Sequence, residues 1–242
     1  MQPAYFVILR ELLILLPRLL GMGLQVFFGQ VLEKPADRLK KFTGVAWLAQ
    51  QMKIDPARIE GASIEAVHSG TATRSRLHIR YDGNPEPAPG PTTLFIKSPP
   101  PDFGSALFGA LFGLGGNEVS FYQRIRAEVP VKTPSVFYCE GDSKNYVMLL
   151  EDLTQEGCDF RTLAERCSYE DARSIFTTLG RLHAHFWESD RFEQDLSWVN
   201  RFETNRDFRL LNLVRQLSVP IAIKKYAHVF PERIREVIPH LM

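Results

Sequence analysis

The stretch that decides the fold reads SGTATRSRLHIRYDGNPEPAPGPTTLFIKS, residues 69–98. Within it, apolar residues of Arg74–Tyr81 alternate with Arg and His, which is typical of a half-buried strand. The apolar segment Ala62–His68 precedes it across Ser69–Thr73, so the two segments predict a β-hairpin with a tip of small residues. Thr93–Ser98 predicts a third strand. The Pro-rich run before it, residues 82–91, excludes regular structure within that run.

The sequence outward from this hairpin predicts further strands and helices. An apolar stripe predicts a helix over Lys34–Met52, and Pro99–Gly116 predicts a long mobile loop, either a lid or a locally packed segment. Asn117 is predicted to cap a helix that runs to Val129, with Glu118 in its first turn. Two more strands are predicted over Ser135–Cys139 and Asn145–Leu150.

The chain becomes helical after residue 150. A capping box at Ser168 and Asp171 opens a helix that keeps a 3.6-residue apolar period to Trp187. Phe202–Leu217 and Pro231–Leu241 predict two more helices. The fold class is therefore α+β, with an apolar helical segment over 1–34, a β-rich lobe over 35–150 and a helical lobe over 151–242.

Composition limits the classes of function. The 242 residues are 45% hydrophobic, which excludes global disorder, and 29 basic residues balance 28 acidic ones. A net charge of +1 with no basic stripe excludes nucleic acid as a partner. The three cysteines fit reduced thiols in a cytoplasmic protein better than a disulfide framework.

The N-terminal run Ala4–Leu32 is very apolar. Arg10, Glu11, Arg18 and Pro17 interrupt it, so its clean apolar stretches are predicted to be too short for a membrane span. Two interpretations remain: a helix packed on the body of the protein, or a helix at a membrane surface, where residues 4–32 would make peripheral contact.

One group of residues has the pattern of a phosphate site. Small residues at a hairpin tip let backbone amides approach phosphate oxygens, and a lysine on the next strand, Lys97, would neutralise their charge. A carboxylate on the following helix, Glu118, would pair with that lysine and fix its direction. No metal-ligand spacing accompanies the pattern, since the His-x-His at 183–185 does not share a helix face.

At these residues the chain resembles the aminoglycoside phosphotransferase and choline-kinase-like superfamily, in particular the branch that includes ecdysteroid-kinase-like proteins. The resemblance covers roughly residues 40–190 and rests on five short stretches in the family's order. They are Gly70-Thr71-Ala72-Thr73-Arg74, Phe95-Ile96-Lys97, Asn117-Glu118-Val119-Ser120-Phe121-Tyr122, Leu149-Leu150-Glu151-Asp152-Leu153 and Leu179-Gly180-Arg181-Leu182-His183-Ala184-His185-Phe186-Trp187.

The resemblance implies a protein-kinase-like fold with ATP and Mg²⁺ as cofactors and a small hydroxylated molecule as substrate. It implies that Lys97 contacts phosphates and that Glu118 is its partner, the pair that would serve catalysis. It implies a nucleotide-binding set made of a loop and a hinge that meets adenine through backbone atoms: Ser69, Gly70, Thr71, Ala72 and Thr73 in the loop, Glu151 and Leu153 in the hinge.

The family's His-Gly-Asp-x-x-x-x-Asn loop and metal-binding aspartate have no counterpart in this sequence. Asp207 and Asn212 have the loop's spacing, but no aspartate follows them and their surroundings keep a helical period. The sequence therefore predicts an incomplete phosphotransferase whose Mg²⁺ ligands lie outside this chain and which is inactive by itself. The alternative is a non-catalytic binding or scaffold protein of kinase fold, associated with a membrane through Ala4–Leu32.

Overall fold

The computed structural model describes residues 4–32, 39–158, 160, 165–199, 206–226 and 228–237. Within them the chain is α+β, as predicted, with five strands and seven α-helices. In chain order these are α1 (Ala4–Leu32), α2 (Val45–Met52), β1 (Ile59–Ser69), β2 (Thr73–Tyr81), β3 (Thr93–Ser98), α3 (Phe103–Leu111), α4 (Leu114–Ser120), β4 (Val136–Gly141), β5 (Tyr146–Glu151), α5 (Tyr169–Phe186), α6 (Arg206–Tyr226) and α7 (Glu232–Val237).

The five strands form one antiparallel sheet with the order β1-β2-β3-β5-β4. All five predicted strands are confirmed, with ends shifted by a few residues at most and β3 at its predicted bounds. The register sets Arg74 opposite Lys97, and Lys97 opposite Met148. Since residues opposite each other in antiparallel strands share a face, these three side chains lie on the same side of the sheet.

The two faces of the sheet carry separate hydrophobic cores. On one face Leu77, Leu94 and Ile96 are fully buried and pack with Leu48 of α2. On the other face, which carries Lys97, a smaller cluster contains Ala72, Val119 of α4, Tyr146, Met148 and Leu150. Strand β5 is therefore buried on both faces, as a central strand should be. Shortening any one of the fully buried leucines to alanine would cost about 2–5 kcal/mol.

The helix predicted over Lys34–Met52 is wrong as a single element. Residues 33–38 lie outside the described residues; further on, a 3-10 turn at Lys41–Thr43 is followed by α2. Between them Gly44 has extended torsion angles, φ −69° and ψ 120°. Glycine has little preference for the helix, so the two pieces separate there.

The loop predicted over Pro99–Gly116 is also wrong, because most of it is helical. Asp102 caps α3 by accepting a hydrogen bond of 2.7 Å from the Ser105 amide. The small residues of α3 are used for packing: Ala106 and Ala110 are buried against Val26 of α1. Close packing of small side chains therefore outweighs the glycines that suggested a loop.

Asn117 does not cap a helix, contrary to the prediction. Helix α4 begins three residues earlier, after Gly113, which has a left-handed φ of 66°. Glu118 therefore lies in the interior of α4 rather than in a first turn, and a π-helical turn over Phe121–Ile125 follows in place of the predicted helix to Val129.

The packing divides the chain into two units, Met22–Arg191 and a second made of Met1–Gly21 with Phe192–Met242. In the first unit the predicted capping box of α5 is confirmed: the Asp171 amide donates to Ser168 Oγ at 3.1 Å, and the Ser168 amide donates to Asp171 Oδ2 at 3.1 Å. In the second unit α6 continues past the predicted end at Leu217 to Tyr226, and α7 lies within the predicted last helix.

Helix α1 is continuous through Pro17 and keeps most of its apolar surface exposed. Among the side chains of α1 that are described, from Leu9 to Leu32, the large apolar ones that are buried are Leu15 and Val26; the exposed ones are Leu9, Leu12, Leu13, Ile14, Leu16, Leu20, Leu24, Phe27, Phe28, Val31 and Leu32. Within Leu9–Leu32 an 18-residue window has a mean hydropathy of 1.8, and the 24-residue stretch is long and apolar enough to cross a bilayer, although core helices and signal sequences pass the same test. Contrary to the prediction, length and composition therefore do not exclude a membrane span.

Candidate functional site

A short ion pair joins strand β3 to helix α4. Lys97 Nζ donates to both carboxylate oxygens of Glu118, at 2.7 Å to Oε1 and 2.6 Å to Oε2. The side chains are 18% and 30% exposed. The contact implied by the resemblance is present, and a two-oxygen grip of this kind fixes the direction of the ammonium group. The part of either residue in nucleotide binding stays a prediction.

A second cation accompanies Lys97 on the same face. Arg74 is directly opposite Lys97 in the β2–β3 register and has no carboxylate within ion-pair distance among the described residues. Two neighbouring cations, of which only one is paired, favour an anionic ligand on this face. Sequence analysis did not single out Arg74 as a site residue, although the hairpin register with Lys97 carries the signal.

Burial and the nearby Glu118 carboxylate raise the pKa of three groups around the ion pair. Burial, with Glu118 as the next cause, raises the pKa of Tyr122 to about 12 and that of Tyr146 to about 12. The same two causes raise the pKa of the Cys139 thiol to about 11. All three groups are therefore neutral at pH 7 and leave Lys97 as the charged partner of Glu118.

The hairpin tip is closed on itself. The Gly70 amide donates to the Ala72 carbonyl at 3.1 Å, and the hydroxyls of Ser69 and Thr73 are 3.3 Å apart. The Thr71 carbonyl approaches α3, where a Cβ on Gly109 would stand 3.6 Å from it. The Gly70 amide is therefore already used and is not a donor for a phosphate oxygen.

The predicted loop residues do not all reach the Lys97 face. Ala72 is buried in the cluster that contains Val119, the residue after Glu118. Thr73 is paired with Ser98 and so lies on the opposite face from Lys97. The structure therefore places Ala72 in the hydrophobic cluster beside α4 and Thr73 on the other face of the sheet.

The segment after β5 is held by a buried carboxylate. The Asp152 side chain is 1% exposed and accepts a hydrogen bond of 2.6 Å from Arg76 Nε. The hydroxyl and the amide of Thr154 donate to Asp152 Oδ1, at 2.6 Å and 3.2 Å. Burial opposes the ionised form, yet the hydrogen bonds from Thr154 and Arg76 lower the pKa of Asp152. Sequence analysis quoted Asp152 only as part of a motif and missed this role.

The two predicted hinge residues differ in their backbone groups. The Glu151 amide donates to the Ser135 carbonyl at 2.9 Å, so it is engaged within the sheet edge. The Leu153 carbonyl accepts from the amides of Glu156 and Cys158. The Leu153 amide donates no hydrogen bond to any described residue. Leu153 therefore keeps a free donor, whereas Glu151 does not.

The remaining candidates belong to the second unit. Asp207 and Asn212 both fall in α6, and Asn212 Oδ1 accepts from Arg215 Nη2 at 2.9 Å; the Asp207 side chain lies outside the described part. Within the described residues no group of three or more His, Cys, Asp or Glu side chains is arranged to hold a metal ion. Comparison of the chain with models of protein families, with curated proteins and with solved structures finds no match.

Proposed function

We propose that the sheet unit is the nucleotide-binding lobe of a protein-kinase-like phosphotransferase that acts on a hydroxyl group of a small molecule. The observation that carries the proposal is the Lys97–Glu118 ion pair. Its lysine comes from the third strand and its carboxylate from a helix between the third and fourth strands. Protein kinases place the lysine that contacts ATP phosphates and its glutamate partner on the same two elements.

The sheet supports the same proposal. Its first two strands form a hairpin, the lysine strand is central, and the last two strands form a second antiparallel pair. Leu94, opposite Glu151, is three residues from Lys97 along the ladder, which is about 10 Å. A nucleoside phosphate fits this spacing, with its phosphates at Lys97 and its base near the segment after Glu151.

Each residue has a defined task in this proposal. Lys97 neutralises phosphate charge, and Glu118 positions the Lys97 ammonium group. Arg74 offers a second cationic contact, a guanidinium that matches phosphate geometry. The free Leu153 amide donates to the base, in place of the Glu151 amide, which the sheet edge uses. Mg²⁺ would supply charge neutralisation when bound with the nucleotide; within the described residues no cluster of His, Cys, Asp or Glu is arranged to hold it.

Binding of a fluorescent ATP analogue with Mg²⁺ tests the proposal directly. Lys97→Ala should weaken binding at least tenfold, because a hydrogen bond to a charged group contributes about 1.5–3 kcal/mol. Lys132→Ala, which removes an exposed lysine of the same unit, should bind like the wild type. Equal affinity of all three proteins, with unfolding temperatures unchanged, would refute a nucleotide site at Lys97.

A second proposal concerns location: a cytoplasmic protein whose helix α1 lies on a membrane surface. It is supported by the apolar side chains that α1 exposes, including Leu24, Phe27 and Phe28 beyond the buried Val26. At 1.5 Å per residue, Leu9–Leu32 is about 36 Å long, more than the hydrocarbon core of a bilayer. If binding to ATP fails, a non-catalytic membrane-associated protein becomes the better proposal.

Cosedimentation with phosphatidylcholine vesicles tests the location. The double variant Phe27→Ser, Phe28→Ser should remain in the supernatant while the wild type pellets with the vesicles. The matched control is Ile175→Ser, Phe176→Ser, which removes two exposed apolar side chains from α5. Equal loss of sedimentation in both double variants would show general hydrophobic adhesion and contradict a role specific to α1.

A further inference from the structure

A cavity of about 450 Å³ lies on the face of the sheet opposite Lys97. This size falls within the usual range for small-molecule sites. Strands β1, β2 and β3 form its floor, and the segment before α2 forms a wall. Its described lining consists of Leu39, Lys40, Thr43, Ile64, Ala66, Thr73, Ser75, Ser98 and Pro101.

The buried polar groups of this cavity are two serines. Ser75 is 2% exposed and Ser98 is 5% exposed. Both lie on the same face, since Thr73 pairs with Ser98 and Ser75 follows two residues later on β2. In the part of the chain that the structure describes, neither serine hydroxyl makes a hydrogen bond to the protein, so each has one donor and two acceptor sites to offer a ligand.

The threonine hydroxyls of the lining differ from the serine hydroxyls. Thr43 Oγ1 donates to the Lys40 carbonyl at 2.7 Å, and Thr73 Oγ1 lies 3.3 Å from Ser69 Oγ. The threonines are therefore satisfied within the protein. The serine hydroxyls make no such bond and do not belong to the fully enclosed polar atoms of the described residues that lack a partner, so they are open to the cavity.

We propose that this cavity binds a neutral small molecule with an apolar body and one hydroxyl or carbonyl oxygen. The apolar lining at Ile64, Ala66 and Pro101 suits the apolar body, and Ser75 and Ser98 bind the oxygen. A buried anion would need a buried cation, and the lysine of the lining, Lys40, is exposed at the rim. The site is separate from the proposed nucleotide site, because β2 and β3 direct Arg74 and Lys97 to the other face.

Fluorescence titration of the whole chain with 2-naphthol tests the site. Naphthalene, which lacks the hydroxyl group, serves as the matched control probe. We expect saturable one-to-one binding of 2-naphthol below about 1 mM and at least tenfold weaker binding of naphthalene. Ser75→Ala and Ser98→Ala should each reduce this preference at least threefold. Ser63→Ala, an exposed serine on β1 opposite His78, should keep it.

A space-filling variant makes the test independent of the hydroxyls. Ala66→Phe adds a ring at the exposed edge of the cavity, where it does not disturb the buried core, and should weaken 2-naphthol binding at least tenfold. Far-ultraviolet circular dichroism checks that each variant is folded. The proposal is overturned if the wild type shows no saturable binding, or if folded Ala66→Phe and both serine variants bind both probes as the wild type does.

Discussion

Replacing Asp152 by asparagine should destabilise the sheet unit more than its small change in shape suggests. The asparagine side chain has nearly the same volume but carries an amide nitrogen where one carboxylate oxygen stood. Arg76 Nε donates to Oδ2, and the two donors of Thr154 donate to Oδ1. Whichever way the asparagine turns, one of these donors meets an N–H group instead of an acceptor.

The size of the effect follows from burial and charge. Removing one partner of a buried ion pair typically lowers the free energy of unfolding by about 3–5 kcal/mol. The Asp152 side chain is 1% exposed, but Arg76 is 25% exposed and keeps Glu65 Oε2 at 3.9 Å from its Nη1. Water and Glu65 therefore compensate Arg76 in part, and we expect a loss of about 2–4 kcal/mol.

Urea unfolding at pH 7 measures this loss, with Asp82→Asn as the control because Asp82 is exposed on the same sheet unit. The pKa of Asp152 is lowered in the folded protein, so its stabilisation is present above the unfolded pKa of about 3.9 and is lost as the pH falls further. The difference between wild type and Asp152→Asn should therefore shrink below about pH 4. A loss under about 0.5 kcal/mol at pH 7, or a difference that does not change in acid, would refute the reasoning.

Two further predictions test packing and thiol chemistry. Gly115→Ala should destabilise the protein by about 1–3 kcal/mol in urea unfolding, because the added Cβ would overlap the Tyr146 ring. The control Gly180→Ala should be neutral or stabilising, because a Cβ at position 180 would have no atom within 4 Å. Labelling with a thiol-specific disulfide reagent at pH 8 should modify Cys139 at least a hundredfold more slowly than the exposed Cys158, since a pKa of about 11 leaves about one Cys139 thiolate in a thousand. Equal rates for the two cysteines would contradict the partial burial of Cys139 and its raised pKa.

The strands could be predicted from the sequence because their signal is local. An alternation of period two shows which side chains are buried, and the small tip at 69–73 fixes where the hairpin turns. β3 was predicted at its observed bounds, 93–98. The Lys97–Glu118 contact depended on the resemblance, and the structure adds that Glu118 lies inside α4 rather than at its start.

The helical part of 99–116 could not be predicted because its stability comes from packing. Gly and Pro make this run a poor helix by propensity, and the sequence does not reveal that α1 lies beside it. Once Val26 is present, Ala106 and Ala110 provide the close contact that a helix needs. A similar limit applies to α1. The local sequence predicts that this segment is helical, but it does not predict what packs against its apolar side chains.

The alternation of side chains along β2 and β3 places cationic residues on one face of the sheet and serines on the other. Arg74 and Lys97 lie on one face, while Ser75 and Ser98, their neighbours in the chain, lie on the other. Since each face has its own core, a substitution at Lys97 leaves the lining of the serine cavity unchanged, and one at Ser98 leaves the ion pair unchanged. Measuring 2-naphthol binding in Lys97→Ala and ATP-analogue binding in Ser98→Ala therefore separates the two proposals: each probe should respond to its own face, and loss of both in either folded variant would point to general disruption of β3.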